Sequence, residues 1–94
     1  MTSEPFDFEA EIQAANRGGA YVAVPVDIKA VYGKGRLKVE ATFDGEQYVG
    51  SIVNMGVKNP DGSVCYILGI LKAIREKLGK GIGDSVHVVV TPLG

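Results

Sequence analysis

The sequence predicts a mainly β protein, a small closed barrel of about six strands with a helix over each end. Three observations lead to this class. Several segments alternate apolar with polar side chains, and this period of two is typical of half-buried strands. Two short segments carry apolar residues at helical spacing, and each ends at a glycine. The elements also follow the same order twice, which indicates a chain built from two ββαβ halves.

The first strands and the first helix follow from local patterns. Residues 6–13 alternate apolar with charged or amide side chains, so one face of this strand points to a core and the other to water. Residues 20–24 are almost continuously apolar and precede a proline, as expected of a more deeply buried strand. Asp27 is expected to cap a short helix over 28–32, because its carboxylate can accept hydrogen bonds from the first backbone N–H groups.

A hairpin is predicted in the middle of the chain. Residues 37–43 alternate again and stop at Asp44-Gly45, a pair that favours a tight two-residue turn. Such a turn fixes which residues of the two strands face each other. The predicted pairs are Phe43 with Glu46, Ala41 with Tyr48, Val39 with Gly50 and Leu37 with Ile52. Gly50 is expected to let another backbone or an aromatic ring approach closely.

The second half is predicted to repeat these elements. The returning strand of the hairpin runs to about Asn54, and an apolar strand follows over 64–68. Apolar side chains then recur at helical spacing from residue 70 or 71 to 78, and Gly79 ends this amphipathic helix. Valines alternate over 85–91 in the final strand, which a proline ends.

The repeated order of elements indicates an internal duplication within a single domain, 1–94. The two pseudo-repeats cover roughly 5–43 and 46–91. Sequence echoes support them weakly, at offsets of 43 and 46 residues. The echoes relate Ile28-Lys29-Ala30-Val31 to Leu71-Lys72-Ala73-Ile74, and Tyr32-Gly33-Lys34-Gly35 to Leu78-Gly79-Lys80-Gly81. We therefore infer a single-chain pseudo-dimer, in which pairing of the halves closes the barrel and hides strand edges.

Composition disfavours some classes of protein and excludes others. Ten Lys and Arg against 11 Asp and Glu give a net charge of −1, which offers no overall basic field for a phosphate backbone or an anionic membrane. One cysteine and one histidine cannot form an intrachain disulfide or the usual structural zinc sites. Without a basic, apolar leader or a membrane-length apolar run, we expect a cytoplasmic protein with no membrane contact.

Six short motifs, taken in order from Phe6 to Val90, carry a resemblance to a known family. They are Val24-Pro25-Val26-Asp27-Ile28, Gly33-Lys34-Gly35-Arg36-Leu37-Lys38-Val39, Phe43-Asp44-Gly45, Tyr48-Val49-Gly50-Ser51, Lys72-Ala73-Ile74-Arg75 and Gly83-Asp84-Ser85-Val86. Together they resemble the bacterial and archaeal family called "domain of unknown function nineteen-zero-five". The resemblance implies a double-split β-barrel capped by helices, the fold of the AbrB, MazE and MraZ regulators and antidotes. It also implies occasional fusion to YdeI or OmpD-associated domains linked with bacteriocin protection. No reaction is established for that family.

The leading functional prediction is a non-catalytic module that binds an unidentified ligand or partner protein. No nucleophile has a base at a recognisable spacing, and we find no metal-ligand set and no cofactor fingerprint. Binding is expected at the barrel surface or at the loops 13–20 and 55–62, because loops on a rigid scaffold often carry binding groups. The candidate binding residues are Arg36, Tyr48, Met55, Asn59, Lys72, Arg75 and Lys80. The protein is expected to be a monomer or a weak homo-oligomer.

Two alternatives stay open at this point. Nucleic-acid binding follows by analogy with the AbrB-like barrels and would use the basic helix near Lys72 and Arg75, but the net charge does not favour it. A catalytic role would require carboxylates to converge with an arginine. The residues concerned are Asp27, Asp44, Asp84, Arg36 and Arg75.

Three further features are read as structural. Asp7, Glu9 and Glu11 share one strand face, which either is solvated and discourages edge pairing or recruits a cation or a basic partner. His87 is expected to face outward on the last strand. Cys65 is expected to be a small buried hydrophobe.

Overall fold

The computed structural model describes residues 5–15 and 19–93. Its elements are β1 (Phe6–Glu11), β2 (Gln13–Ala14), β3 (Ala20–Ala23), α1 (Ile28–Tyr32), β4 (Leu37–Phe43), β5 (Glu46–Val53), β6 (Ile67–Gly69), α2 (Lys72–Leu78) and β7 (Ser85–Pro92). All pairings between these strands are antiparallel, in the order β1-β7-β4-β5-β6-β3-β2. The prediction of a mainly β protein is confirmed.

A bend at Ile12 brings the two ends of the sheet together. Strands β1 and β2 are separated by this residue alone, and β1 pairs with β7 whereas β2 pairs with β3. Ile12 is fully buried, and its backbone is held by Asp84 and Gly83 through hydrogen bonds of 2.8 Å each. The sheet therefore curls into a nearly closed barrel of seven strands instead of about six, because the bend divides the first predicted strand.

The hydrophobic core fills the interior of this barrel. Alternate residues of the long strands point inward, as their sequence patterns predict. The fully buried side chains include Phe43, Leu37, Ile52, Leu68, Val39, Val86, Val88 and Val90. Each helix adds one buried isoleucine to the same core, Ile28 from α1 and Ile74 from α2. These two side chains fix both helices to the barrel.

The helix ends follow the sequence prediction. Asp27 caps α1, where its Oδ1 accepts hydrogen bonds from the backbone N–H groups of Lys29 and Ala30, each 3.1 Å long. Helix α2 begins after Leu71, which supplies no side-chain hydrogen bond to the helix. Gly33 and Gly79 end the two helices in the left-handed conformation that glycine adopts without strain.

The central hairpin has the predicted register at all four pairs. Its turn has positive φ at both Asp44 (48°) and Gly45 (91°), the type I′ geometry that suits the twist of the two strands. The ring of Tyr48 lies over Gly50, where an added Cβ would come within 2.6 Å of the ring Cζ. The expected close approach at Gly50 is confirmed, and the approaching group is an aromatic ring.

Several strand boundaries differ from the prediction, and two of the differences have a clear physical reason. Strand β6 begins at Ile67, because the residues before it turn to other partners: Val64 bridges to Lys58, and Cys65 N donates to Val57 O at 2.9 Å. At the other boundary, β7 includes Pro92. Proline is tolerated at position 92 because Pro92 lies opposite Val39 of β4, and the backbone groups of Val39 point to β5. Pairing with β4 therefore needs no backbone N–H at this position. Cys65 is buried, as predicted.

Candidate functional site

An open groove runs between the first half of β5 and helix α2. Its volume is about 530 Å³. The residues that line it are Glu46, Gln47, Ala73, Ile74, Glu76 and Lys77. Its floor thus contains the alkyl groups of α2, and its rim contains two carboxylates and one ammonium group. The groove can therefore accept both apolar and charged groups.

The helical period of α2 turns some of its residues toward β5 and others toward the core. Ala73 and Lys77 are one turn apart and share the side facing β5, while Ile74 packs into the core. Lys77 Nζ lies 3.2 Å from Glu46 Oε1 and so joins the helix to the start of β5. Both side chains are solvated, at 73% and 36% exposure, so this ion pair adds little stability.

Among the described residues, no strand pairs with the first part of one edge of β5, next to this groove. Leu93 N donates to Lys38 O and Asp44 N donates to His87 O, so the even-numbered residues of β4 direct their backbone groups to β7. The odd-numbered residues then bond to β5, whose backbone groups at Gln47 and Val49 must point away from β4. Within residues 5–15 and 19–93, β6 reaches only the far end of β5, at positions 52 and 53. In the described part of the chain, the first part of this edge therefore has backbone donors and acceptors that no neighbouring strand uses.

A network of charged hydrogen bonds holds the hairpin turn beside the groove. Lys80 Nζ donates to Asp44 Oδ2 (2.6 Å) and to Ser85 O (2.5 Å), and Asp44 Oδ1 accepts from His87 N (2.8 Å). The hydrogen bond from the Lys80 ammonium, with that from the His87 backbone, holds the pKa of Asp44 below its usual value. Lys80 was predicted as a binding residue, but its ammonium group is engaged in fixing the turn.

Comparison with known families adds one finding. A family model described as "Domain of unknown function (DUF1905)" matches residues 8–90. The chain belongs to the DUF1905 family. This match covers β5 and α2, so the groove is built from residues of the family domain. A comparison with curated proteins finds no match.

The other basic candidates of this DUF1905 domain do not join the groove. At about 100° per residue, positions 72 and 75 of α2 lie on the side of the helix away from positions 73 and 77. Lys72 is exposed, and Arg75 is half-buried with an Nε atom that has no hydrogen-bond partner in the described part of the chain. The basic residues near α2 thus form no single patch, because Lys77 pairs with Glu46 and Lys80 with Asp44.

The loop candidates of the DUF1905 domain lie in a separate region. The side-chain amide of Asn59 donates to Ser63 Oγ (3.0 Å) and Val64 O (3.2 Å), so it braces the loop from within. Hydrogen bonds from the Ser63 hydroxyl and N–H lower the pKa of Asp61 in the same loop. Asn59 also borders a cavity of about 210 Å³ against residues 24–27. Met55 is 70% exposed. Residues 16–18 of the other predicted loop lie outside the described residues.

Two predicted site residues have different surroundings. Tyr48 is half-buried, with its ring 6.0 Å from that of Phe43 and close over Gly50, so it packs against both residues. Arg36 is exposed just before β4. The structure therefore distributes the seven candidates over a loop, the hairpin and both sides of α2, and the groove lining is a set that sequence reasoning missed.

The carboxylates considered for a catalytic role each accept a hydrogen bond from a backbone N–H group. Asp84 Oδ2 accepts from Gly81 N (2.9 Å), as Asp27 does at the start of α1 and Asp44 does at the turn. On the outer face of β1, Asp7 Oδ2 and Glu9 Oε1 lie 3.1 Å and 3.7 Å from the two ring nitrogens of His87, which faces outward as predicted. Within the described ranges, no group of three His, Cys, Asp or Glu side chains is arranged to hold a metal ion.

Proposed function

We propose that this DUF1905 domain is a non-catalytic module that binds a partner polypeptide in the groove between β5 and α2. The observation that carries this proposal is the free edge of β5 beside an open groove with an apolar floor and charged rim. Binding sites are commonly concave, apolar surfaces with a few polar groups that set orientation.

We also propose that the fold is a helix-capped, double-split barrel formed by a single-chain pseudo-dimer. The strand pairings support this proposal. The same pairs are found when β1 and β2 together change places with β5, β3 with β6, and β4 with β7. Backbone hydrogen bonds support it too: Val24 N donates to Tyr66 O (2.8 Å), and Ile70 N donates to Ala20 O (3.1 Å). The two bonds exchange under a shift of 46 positions, which also relates Ile28 to Ile74.

Nucleic-acid binding receives no support from the arrangement of charge, because two of the four basic side chains near α2 are paired with acids of the hairpin. We expect no amide shifts when mixed-sequence duplex DNA is added at low salt. Shifts in residues 70–84 that vanish at near-physiological salt would instead favour the regulator-like function.

A cytoplasmic location is part of the proposal. The single cysteine, Cys65, is buried and free, as is usual for proteins of a reducing compartment. The described residues contain no helix with the length and apolar character needed to cross a membrane.

The test is selection of binders from a random peptide library, followed by mapping of the selected synthetic peptides on the amide spectrum of the labelled protein. We expect shifts at residues 46–50 and 73–77. The variant Ala73→Arg should weaken binding at least tenfold by filling the groove, whereas Ala30→Arg is the matched control at an exposed alanine of α1. The proposal fails if no peptide is selected, or if Ala73→Arg binds the selected peptides as tightly as the original protein.

A further inference from the structure

We infer that the partner enters the groove as an extended strand, which pairs antiparallel with the free edge of β5 and lengthens the sheet. This inference rests on the proposed function, since it specifies how the groove binds a polypeptide. Strand addition uses main-chain hydrogen bonds for affinity and pockets for alternate side chains for specificity. Antiparallel pairing is chosen because it is slightly more stable per residue than parallel pairing.

The backbone of β5 provides the required hydrogen-bonding groups. Gln47 and Val49 direct both N–H and C=O away from β4, and no strand among the described residues covers them. The same two side chains lie on the outer face of the sheet, because residues 48, 50 and 52 of the strand point inward. An incoming strand can therefore make four hydrogen bonds to these two residues without disturbing the hairpin.

A comparison with β1 shows that the β5 edge lacks the usual protection. Under the exchange of halves, Ile12 corresponds to Ile52, both fully buried, and the outer positions 7, 9 and 11 of β1 correspond to 47, 49 and 51 of β5. The first set is Asp7, Glu9 and Glu11, and the second is Gln47, Val49 and Ser51. Charged side chains are a common way to prevent pairing at a strand edge. The edge of β1 has three of them, whereas that of β5 has none on its outer face and exposes 56% of Val49.

The groove lining specifies the chemistry of the partner strand. Ala73 and Ile74 form an apolar floor, so the partner side chains that point inward should be apolar. Glu46 is paired with Lys77, which leaves Glu76 as the carboxylate in excess at the rim. We therefore assign an extended segment that alternates apolar and uncharged polar residues and has a Lys or Arg at its end.

The probe is the synthetic peptide acetyl-Lys-Thr-Val-Thr-Val-Thr-Lys-amide, titrated into the labelled protein. In antiparallel pairing, two of its three threonines, the central one included, lie opposite Gln47 and Val49 and bond to β5, while its valines point inward and direct their N–H groups away from β5. We expect amide shifts at Gln47 and Val49. N-methylation of the central threonine should weaken binding at least tenfold, and N-methylation of one valine is the matched control.

Two protein variants test the edge itself. Val49→Pro removes an outward N–H without removing a bond to β4 and should abolish binding of the peptide. Glu9→Pro is its matched control. Glu9 lies opposite His87, and the backbone of His87 bonds to Asp44 of the hairpin turn. The Glu9 N–H therefore also points away from its neighbouring strand, β7. The peptide experiment on the unaltered protein keeps the test valid if either proline variant fails to fold.

The possible failures can be distinguished. Equal binding of the peptide with N-methylated threonine, with shifts still in the groove, overturns strand addition and leaves groove binding in place. Absence of shifts with every peptide, including those from library selection, overturns both proposals. If the original protein is dimeric in solution and the variant Val49→Pro is monomeric, the edge binds a second copy of the chain. This result overturns the peptide assignment.

Discussion

At the scale of single residues, Gly50 is a position where a side chain has no room. The Tyr48 ring occupies the space that a Cβ would need. Replacement of Gly50 by alanine should therefore displace this ring and cost about 1 kcal/mol of unfolding free energy, the lower end of the range for overpacking. Urea denaturation measures the cost, and side-chain NMR shifts of Tyr48 and Phe43 report the displacement.

Gly35→Ala is the control for this prediction. Gly35 has no positive φ and nothing near the position of an added Cβ, so alanine there should be neutral or slightly stabilising. Equal destabilisation by both substitutions would contradict the proposed role of the Tyr48 ring. The sequence allowed the close approach at Gly50 to be predicted, but not the identity of the group, which depends on side-chain rotamers.

The bond between Asp44 and Lys80 predicts a pH dependence of stability. Because the pKa of Asp44 is lower in the folded protein than its usual 3.8, its contribution is present at neutral pH and is lost as the pH falls through the folded pKa. Asp44→Asn keeps a residue that tolerates the turn conformation and should cost at most about 1 kcal/mol at pH 7, since both side chains are about 30% exposed.

The measurement is thermal unfolding of the original protein and of Asp44→Asn between pH 7 and pH 2. The two curves should converge in acid, because protonated Asp44 loses the same interaction that the asparagine lacks. Glu46→Gln serves as the control, as its ion pair with Lys77 is more exposed and should contribute little. A constant difference down to pH 2 would contradict the assignment to Asp44.

At the scale of elements, the two helices differ in how they begin. Asp27 satisfies two backbone N–H groups of α1, whereas Leu71 satisfies none at α2 and is half-exposed. Asp27→Ala should cost about 1 kcal/mol, and Leu71→Asp should stabilise the protein by about 0.5 kcal/mol, because a carboxylate suits a helix N-terminus. Urea denaturation of both variants checks the opposite signs, and destabilisation by Leu71→Asp would show that the leucine contacts matter more than a cap.

The elements that the sequence predicted well are those fixed by neighbouring residues. The hairpin register follows from Asp44-Gly45, and the ends of α1 follow from Asp27 and Gly33, because these features need no distant contact. The bend at Ile12 was missed because it depends on hydrogen bonds to residues 83 and 84, far along the chain. The start of β6 was missed for a similar reason, since an apolar run does not reveal that the loop recruits Val64 and Cys65.

At the scale of the whole molecule, we expect the three carboxylates of β1 to discourage pairing at one edge of the sheet. Their neutralisation together, as Asp7→Asn, Glu9→Gln and Glu11→Gln, should leave a second unprotected edge and promote self-association. Sedimentation velocity at increasing protein concentration should show dimers or larger species for this variant. Neutral substitutions at exposed lysines of the helices, Lys29→Gln and Lys72→Gln, are the control and should leave the sedimentation coefficient unchanged.

The groove could not be predicted because it exists only in the assembled molecule. Its two walls, at residues 46–47 and 73–77, approach one another through packing of Ile74 into the core. The sequence did contain one usable signal, the contrast between charged residues at 7, 9 and 11 and uncharged ones at 47, 49 and 51. That contrast has meaning only under the proposed exchange of halves, in which the two strands occupy equivalent places in the sheet.

The pairing of β1 with β7 has a consequence for the order of folding. Residues 6–11 must find residues 85–90, so closure of this long loop carries a large entropic cost before any bond forms. The β4–β5 hairpin, by contrast, needs only a two-residue turn and can form early. During synthesis the first strand emerges from the ribosome long before its partner. Until that partner is made, we expect the three closely spaced negative charges of this unpaired strand to oppose its aggregation.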